Sequence, residues 1–240
     1  MKIYDVLLKN GTLIDPGNNI NSKSDIAISS TKIAKVSKSI DESTAKLTID
    51  ANDLIICPGL IDIHAHSFGY WEAIFPDEMC LPFGTTTMLD AGGPGWKTFD
   101  IMKDKVIRKS KTRVFSLLNI VGSGMVMDGE QNVSDMDAEA TAEKIKERKD
   151  MLVGVKVAHF EANSWEAIKR GKKAAENSGT FMMVDQNPIS GRNMKELLTE
   201  YMTEGDILTH VYAWGKPILD RNKKVYDYFF DARKKGIIFD

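Results

Sequence analysis

Residues 54–66 read LIICPGLIDIHAH, in which a Pro-Gly pair is followed by an apolar run that ends in two histidines. The pattern predicts a strand after Gly59 that closes on His64 and His66. Side chains at positions i and i+2 of a strand point to the same face of the sheet. The two imidazoles can therefore bind one metal ion, and zinc and similar divalent ions favour such ligands.

The composition is that of a chain of moderate size and nearly balanced charge. Its 240 residues allow one large domain, or a large domain together with a small one. The net charge of -2 gives no electrostatic reason to expect nucleic acid or an anionic membrane as a partner. No apolar stretch reaches about 18 residues, and the N-terminus lacks a signal-peptide core. The two cysteines indicate no disulfide framework, so a cytoplasmic location is expected.

Residues 1–56 are expected to form a small β module. Short β-rich segments alternate there with turn signals, of which Asn10-Gly11 and Pro16-Gly17 are the clearest. Residues 25–28 and 32–36 are expected to pair as a hairpin. The pattern predicts an antiparallel module that precedes a larger domain, residues 57–240.

The larger domain shows strand candidates roughly every 30 residues, each followed by a helical pattern. The predicted strands are 60–64, 85–90, 114–121, 153–157, 181–186, 207–211 and 236–240. The predicted helices are 99–109, 137–149, 165–177, 194–202 and 223–235. Such alternation predicts an α/β fold with a parallel sheet and right-handed crossovers, either a barrel or an open doubly wound sheet. Seven strand starts favour the (β/α)8 TIM-type barrel.

A complete barrel of this type usually takes about 250 residues, and residues 57–240 are too few for one. The segment 236–240 predicts a strand that is starting where the sequence ends. We therefore expect a barrel that is truncated after its seventh strand starts, in a chain that is a fragment of a longer protein.

Lys156 lies between two valines on the fourth predicted strand. Alternation along the strand turns its side chain away from those valines and toward the barrel interior. It can be an ordinary buried lysine that pairs with a carboxylate or reaches solvent. Alternatively, burial and nearby cations hold the amine neutral, and it reacts with carbon dioxide to give a carbamate. A carbamate can bridge two metal ions about 3.5–4 Å apart.

Other polar residues stand at predicted strand ends. His210 follows the sixth strand and is a candidate metal ligand. Asp185, at the end of the fifth, can be an oxygen ligand, a partner of a ligand histidine, or an ordinary strand-end carboxylate. Asp90 can orient a ligand or cap the next turn. His159 is out of phase with Lys156, which favours a structural role or a place on the rim.

Together these motifs resemble the amidohydrolase superfamily. Residues 58–66 (PGLIDIHAH) resemble its strand-one signature, and residues 84–92 (GTTTMLDAG) resemble its second strand. Residues 112–120, 154–157 and 205–210 extend the match, which covers essentially the whole sequence. The set is most similar to the dihydroorotase-like amidohydrolase and deacetylase branch.

The resemblance implies a binuclear site for zinc, or for manganese, iron or cobalt. His64 and His66 would bind the more buried ion, carboxylated Lys156 would bridge, and His210 would bind the second ion. The family carries a histidine at the end of strand five, where this sequence has Asp185, so Asp185 is kept as a candidate metal ligand. The acid/base of the family is an aspartate at the end of strand eight, which these residues do not include. The catalytic acid/base is therefore not assigned.

The implied activity is hydrolysis of a C–N amide bond by a metal-activated water, in a cyclic amide or an N-acyl amino acid. The implied partners are a small-molecule amide substrate and further copies of the chain, in a homo-oligomer. In this family fold the N-terminal module is a β-sandwich that C-terminal strands complete. Asp185 and the lack of an eighth strand leave a second hypothesis, a non-catalytic barrel that serves binding or assembly.

Overall fold

The structure is a computed structural model that describes residues 2–125, 127–213 and 218–240. The chain divides into two compact units, Met1–Gly59 and Leu60–Asp240. None of the helices in the described residues has the length and apolar character that a membrane crossing requires.

The first unit contains one mixed sheet of five strands. Its strands are β1 (Tyr4–Asp15), β2 (Ile20–Ser29), β3 (Lys32–Ser37), β4 (Ala45–Asp50) and β5 (Ile55–Ile56). The order is β3-β2-β1-β4, and β5 also pairs with β1. β2 and β3 pair antiparallel, which confirms the hairpin predicted for residues 25–28 and 32–36. The prediction of an antiparallel module is wrong for β4 and β5, which run parallel to β1 because crossovers, not tight turns, bring them there. The β-sandwich stays a prediction.

The Asn10-Gly11 pair is a bulge inside β1 and not the predicted tight turn. The register of β1 against β2 shifts between Leu8 and Gly11, and Asn10 has the left-handed φ of 64°. The backbone N–H of Asn10 donates to the side chain of Asp25 at 2.9 Å. Pairing with β2 on both sides of the bulge therefore outweighs the local preference for a turn.

The second unit is a parallel sheet covered by helices. Its strands are β6 (Leu60–Ala65), β7 (Thr85–Asp90), β8 (Arg113–Asn119), β9 (Leu152–Val157), β10 (Phe181–Val184), β11 (Ile207–Leu208) and β12 (Ile238–Phe239). The sheet order follows the sequence from β6 to β12, and every neighbouring pair is parallel. All seven predicted strands are present, and those predicted over 181–186, 207–211 and 236–240 are shorter than predicted.

A doubly wound sheet reverses its strand order at a switch point, and this sheet does not. It curls into a half-barrel instead. The barrel type of sheet is therefore confirmed, and the eighth strand of a complete barrel stays a prediction.

Helices cover the sheet, and all but the first of them lie at predicted positions. They are α1 (Pro76–Cys80), α2 (Phe99–Lys105), α3 (Ala138–Glu147), α4 (Glu166–Ser178), α5 (Met194–Glu196) and α6 (Asp227–Lys234). A π-helical turn, Leu197–Tyr201, continues α5, so the single α-helix predicted over 194–202 is wrong in its second half. Short 3-10 helices are Pro16–Asn18, Glu42–Thr44, Leu81–Phe83, Ile107–Lys109, Met127–Gln131, Val133–Asp135 and Pro188–Ser190.

The two faces of the sheet have different neighbours. Val155 and Val157 on β9 belong to the large apolar core that includes Ile145 of α3 and Ile168 of α4. Leu117 and Met183 belong to a smaller apolar cluster on the opposite face of the sheet. Lys156 stands in register with Met183. It therefore faces away from its flanking valines, into the concave side of the sheet, as predicted.

Candidate metal centre

The carboxyl ends of the parallel strands meet at one edge of the second unit, where side chains from separate strands can converge. A cavity of about 540 Å³ lies there. All four histidines of the sequence line it. The full lining is His64, His66, Tyr70, Glu72, Met125, His159, His210, Tyr212, Ala213 and Asp240.

His64 bonds through both of its ring nitrogens. Its Nε2 lies 3.4 Å from Nζ of Lys156, and its Nδ1 lies 2.7 Å from Oδ2 of Asp240. Its ring also stacks on that of His210, with 4.7 Å between the centroids and 22° between the planes. His64 and His210, two of the predicted ligands, are therefore neighbours.

His66 stands beside His64, as the two-residue spacing predicts. The ring centroids are 5.5 Å apart and the planes are nearly perpendicular. Nδ1 of His66 is buried and has no hydrogen-bond partner within the described ranges. Burial, followed by the charge of Lys156, lowers the pKa of His64 to about 4 and that of His66 to about 3. Both rings are therefore neutral at pH 7.

Lys156 is almost fully buried, with 1% of its surface exposed. Its Nζ lies 3.4 Å from the sulfur of Met183 as well as near His64. Gly92 makes room for its stem: a Cβ at Gly92 would lie 2.4 Å from Cβ of Lys156. Real Cβ atoms do not approach so closely, and the φ of Gly92 is +89°. A glycine is thus required where the chain passes Lys156 just after the end of β7.

Asp185 joins two histidines. Its Oδ2 lies 3.3 Å from Nε2 of His159 and 3.4 Å from Nδ1 of His210. The side chain of Asp185 is 6% exposed, whereas each histidine is 41% exposed. The position where a family histidine was expected therefore holds a buried carboxylate between two ring nitrogens.

His159 lies on the cavity wall and makes a second ion pair. Its Nδ1 is 2.7 Å from Oε2 of Glu130, whose other oxygen accepts from the amide of Asn119. The hydrogen bond with Glu130 raises the pKa of His159, against the effect of burial. His159 and His210 both have left-handed backbones, with φ of 52° and 57°. Such strain in non-glycine residues collects at functional sites.

Asp90 holds the segment that follows His66. It is fully buried and accepts hydrogen bonds from the backbone and hydroxyl of Ser67 and from the backbone of Gly93. Burial raises the pKa of Asp90, although these bonds act in the opposite direction. The bond to Gly93 confirms that Asp90 caps the next turn, whereas its orientation of a ligand stays a prediction.

The structure does not bring every predicted residue into one ligand shell. Among the side chains that the structure describes, those of residues 2–125, 129–213 and 218–240, no three histidine, cysteine, aspartate or glutamate residues form a group that could hold a metal ion. His64, on β6, and His66, directly after it, lie near Lys156. His210 and Asp185 form a neighbouring pair. Among these described side chains, a shell of three ligands around His64 and His66 therefore has to include Lys156.

Three residues of the site escaped the sequence analysis. Asp240 follows the apolar residues of β12, which is the same signal that pointed to Asp185. Thr209 and Glu130 carried no comparable signal, because a hydroxyl beside a strand end and a glutamate outside the predicted strands and helices are common.

Comparison with known proteins supports the resemblance, although no family model matches the sequence. A deacetylase of Enterococcus faecalis is 31% identical in an alignment of 250 positions, gaps included, that covers 99% of this chain and 65% of the relative. The crystal structure of an adenine deaminase superposes with a TM-score of 0.83 at 32% identity, over 98% of this chain and 65% of that chain. The crystal structure of a dihydroorotase superposes with a TM-score of 0.83 at 26% identity, over 98% of this chain and 64% of that chain.

The chain belongs to the amidohydrolase superfamily, in its dihydroorotase-like branch. It spans less than two thirds of the length of these relatives, 65% of the deacetylase and of the adenine deaminase and 64% of the dihydroorotase.

Proposed function

We propose that the second unit holds the metal centre of a hydrolase that cleaves C–N amide bonds, in a cyclic amide or an N-acyl amino acid. The observation that carries the proposal is the approach of Nε2 of His64 to Nζ of Lys156, 3.4 Å apart at the carboxyl edge of the sheet. His66 lies beside this pair. The relatives named deacetylase and dihydroorotase support this class of reaction.

The donor atoms fit a divalent cation such as zinc. Both imidazoles are neutral at pH 7, so each has a lone pair to donate. Buried polar atoms without a partner are uncommon in proteins. A bound cation would satisfy the buried ring of His66, whose Nδ1 has no hydrogen-bond partner in the described part of the chain. When bound, the metal would polarise the substrate carbonyl and lower the pKa of a water molecule.

Lys156 completes the ligand set as a carbamate. Reaction of its amine with carbon dioxide gives a carboxylate on a long side chain, and carboxylate oxygens bind zinc, manganese, iron and cobalt. We propose two ions, the first held by His64, His66 and Lys156 and the second held by Lys156, His210 and Asp185.

The remaining polar residues orient these ligands. The ring of His159, with Nε2 3.3 Å from Oδ2 of Asp185, holds that carboxylate oxygen beside His210. Glu130 in turn fixes the ring of His159. The acid/base of the reaction stays a prediction from the resemblance, as an aspartate at the end of an eighth strand.

The test is a hydrolysis assay of the zinc-reconstituted chain in bicarbonate, and of any longer product of the same gene. The substrates are N-acetyl amino acids and dihydroorotate. We expect zinc-dependent release of acetate or opening of the ring, lost in Lys156→Ala and kept in Lys146→Ala, since Lys146 is exposed on α3. Failure of every form to bind zinc contradicts the proposal.

A non-catalytic barrel is the second candidate function. It is favoured by Asp185 at the place of a family histidine and by the absence of a three-residue His/Cys/Asp/Glu metal group in the described residues. Zinc binding without turnover of any substrate, in the chain and in a longer product, would support it.

The division into modules at residues 56 and 57, the homo-oligomer and the cytoplasmic location are also proposals. The two edge strands of the sheet support self-association, because Ile61 on β6 and Ile238 on β12 are exposed. Sedimentation equilibrium of the chain measures the association directly.

A further inference from the structure

Asp240, Thr209 and His64 form a closed triangle of hydrogen bonds. Oδ2 of Asp240 lies 2.7 Å from Nδ1 of His64 and 2.6 Å from Oγ1 of Thr209. Oγ1 of Thr209 lies 2.7 Å from the same ring nitrogen. Thr209 is fully buried. The three side chains come from β6 and from the ends of β11 and β12, so the triangle links both edges of the curled sheet.

The backbone holds Asp240 in this position from both sides. Its N–H donates to Leu208 at 3.0 Å, and its carbonyl accepts from the N–H of Val211 at 3.0 Å. The N–H of Thr209 donates to Val184 at 3.0 Å. Backbone hydrogen bonds between neighbouring strands therefore fix the positions of Asp240 and Thr209.

The chemistry of the triangle allows one arrangement of protons. An ionised carboxylate only accepts hydrogen bonds. The single hydroxyl proton of Thr209 is used toward Asp240, so its oxygen faces His64 with a lone pair. Both neighbours of Nδ1 are then acceptors, and a neutral His64 must carry its proton there. The lone pair of the ring is on Nε2, which points to Lys156.

We propose that Asp240 is the positioning residue that fixes the Nδ1–H tautomer of His64 and thereby presents Nε2 as a metal ligand. Ligand histidines in metalloproteins commonly donate their second ring N–H to a carboxylate, which fixes tautomer and orientation. The identity of the ligand as a divalent cation rests on the proposed function, whereas the tautomer does not.

The test is ¹⁵N NMR of the histidine rings in the metal-free chain at pH 7, followed by zinc titration. The ring ¹⁵N shifts of wild-type His64 should be those of the Nδ1–H tautomer. Asp240→Asn should shift it toward the Nε2–H form, because an amide can donate to Nδ1 as well as accept. Zinc affinity should then fall by about 10- to 100-fold. Asp231→Asn, on the exposed face of α6, should change neither quantity.

Two further measurements separate the possible outcomes. Thr209→Val should keep the Nδ1–H tautomer, because the carboxylate alone demands it. An Nε2–H pattern in the wild-type chain overturns the proposal without any variant, and so does an unchanged ring spectrum in a folded Asp240→Asn chain. If the tautomer responds as expected but the wild type binds no zinc, the positioning role stands and the proposed function fails.

Discussion

Nζ of Lys156 lies 3.4 Å from Nε2 of His64, although the two residues are 92 positions apart in the chain. They come from β9, in the middle of the sheet, and β6, at its edge. Their approach follows from the curl of the sheet together with the strand alternation that turns Lys156 inward. The candidate metal centre thus depends on a tertiary feature, and its integrity reports on the fold as well as on the chemistry.

The contact between Gly92 and Lys156 can be tested by adding one methyl group. Gly92→Ala should destabilise the chain in two ways, through a left-handed backbone and through collision with Cβ of Lys156. Gly84→Ala is the matched control, because its φ is +79° and nothing lies within 4 Å of the added Cβ. We expect about 1–2 kcal/mol of strain for the control and about 1–3 kcal/mol more for Gly92→Ala.

Urea unfolding of both glycine variants measures this difference. Equal losses of stability would show that Gly92 is needed only for its backbone conformation and not for the space that Lys156 takes.

The metal-free chain should lose stability in mild acid. His64 and His66 have pKa values of about 4 and about 3 in the folded chain, against the usual 6.5. The unfolded chain therefore binds more protons than the folded chain below pH 6.5. The free energy of unfolding should fall as the pH drops from 6.5 toward 4, with a slope of up to about 2.7 kcal/mol per pH unit from the two rings.

His159 acts in the opposite sense, because its pKa is raised in the folded chain. The stability that His159 contributes to the folded chain is fully present below pH 6.5. It is lost as the pH rises through the raised pKa of His159. Urea unfolding between pH 4.5 and 8 in the presence of a chelator, with His66→Asn for comparison, should show the acid slope roughly halved in the variant. An acid slope that is the same in both chains means that His66 titrates normally.

Zinc titration should distinguish two binding events. The first, at His64, His66 and Lys156, should be tighter than the second, at His210 and Asp185. His210→Ala should keep the first event and weaken the second at least about tenfold. Tyr212→Phe is the control, since Tyr212 lines the same cavity without being assigned as a ligand. Equal loss of both events in His210→Ala would argue against two separate sites.

Much of the second unit could be predicted from the sequence because its strands are short apolar runs at regular spacing. The positions of His64, His66, Lys156 and His210 near strand ends followed from the same pattern. The inward direction of Lys156 followed from alternation with its flanking valines, which the core contacts of Val155 and Val157 confirm.

The hydrogen bond between Asp240 and His64 could not be predicted in the same way. It joins the first and last strands of the sheet, and local sequence carries no information on how far the sheet curls. The tight turn predicted at Asn10-Gly11 was wrong for a related reason, because pairing with β2 makes this pair a bulge inside β1. The pair between His159 and Glu130 depends on a loop whose path the apolar pattern does not describe.

The most direct measurement of the central claim is the zinc content and intact mass of the chain purified in bicarbonate, for wild type, Lys156→Ala and Lys146→Ala. The wild type and Lys146→Ala should retain zinc and, in native mass spectra, carry the added mass of one carbon dioxide. Lys156→Ala should lose both, and small carboxylates should partly restore its zinc. Equal zinc in all three chains, with no adduct on Lys156, would contradict a metal centre built on this lysine.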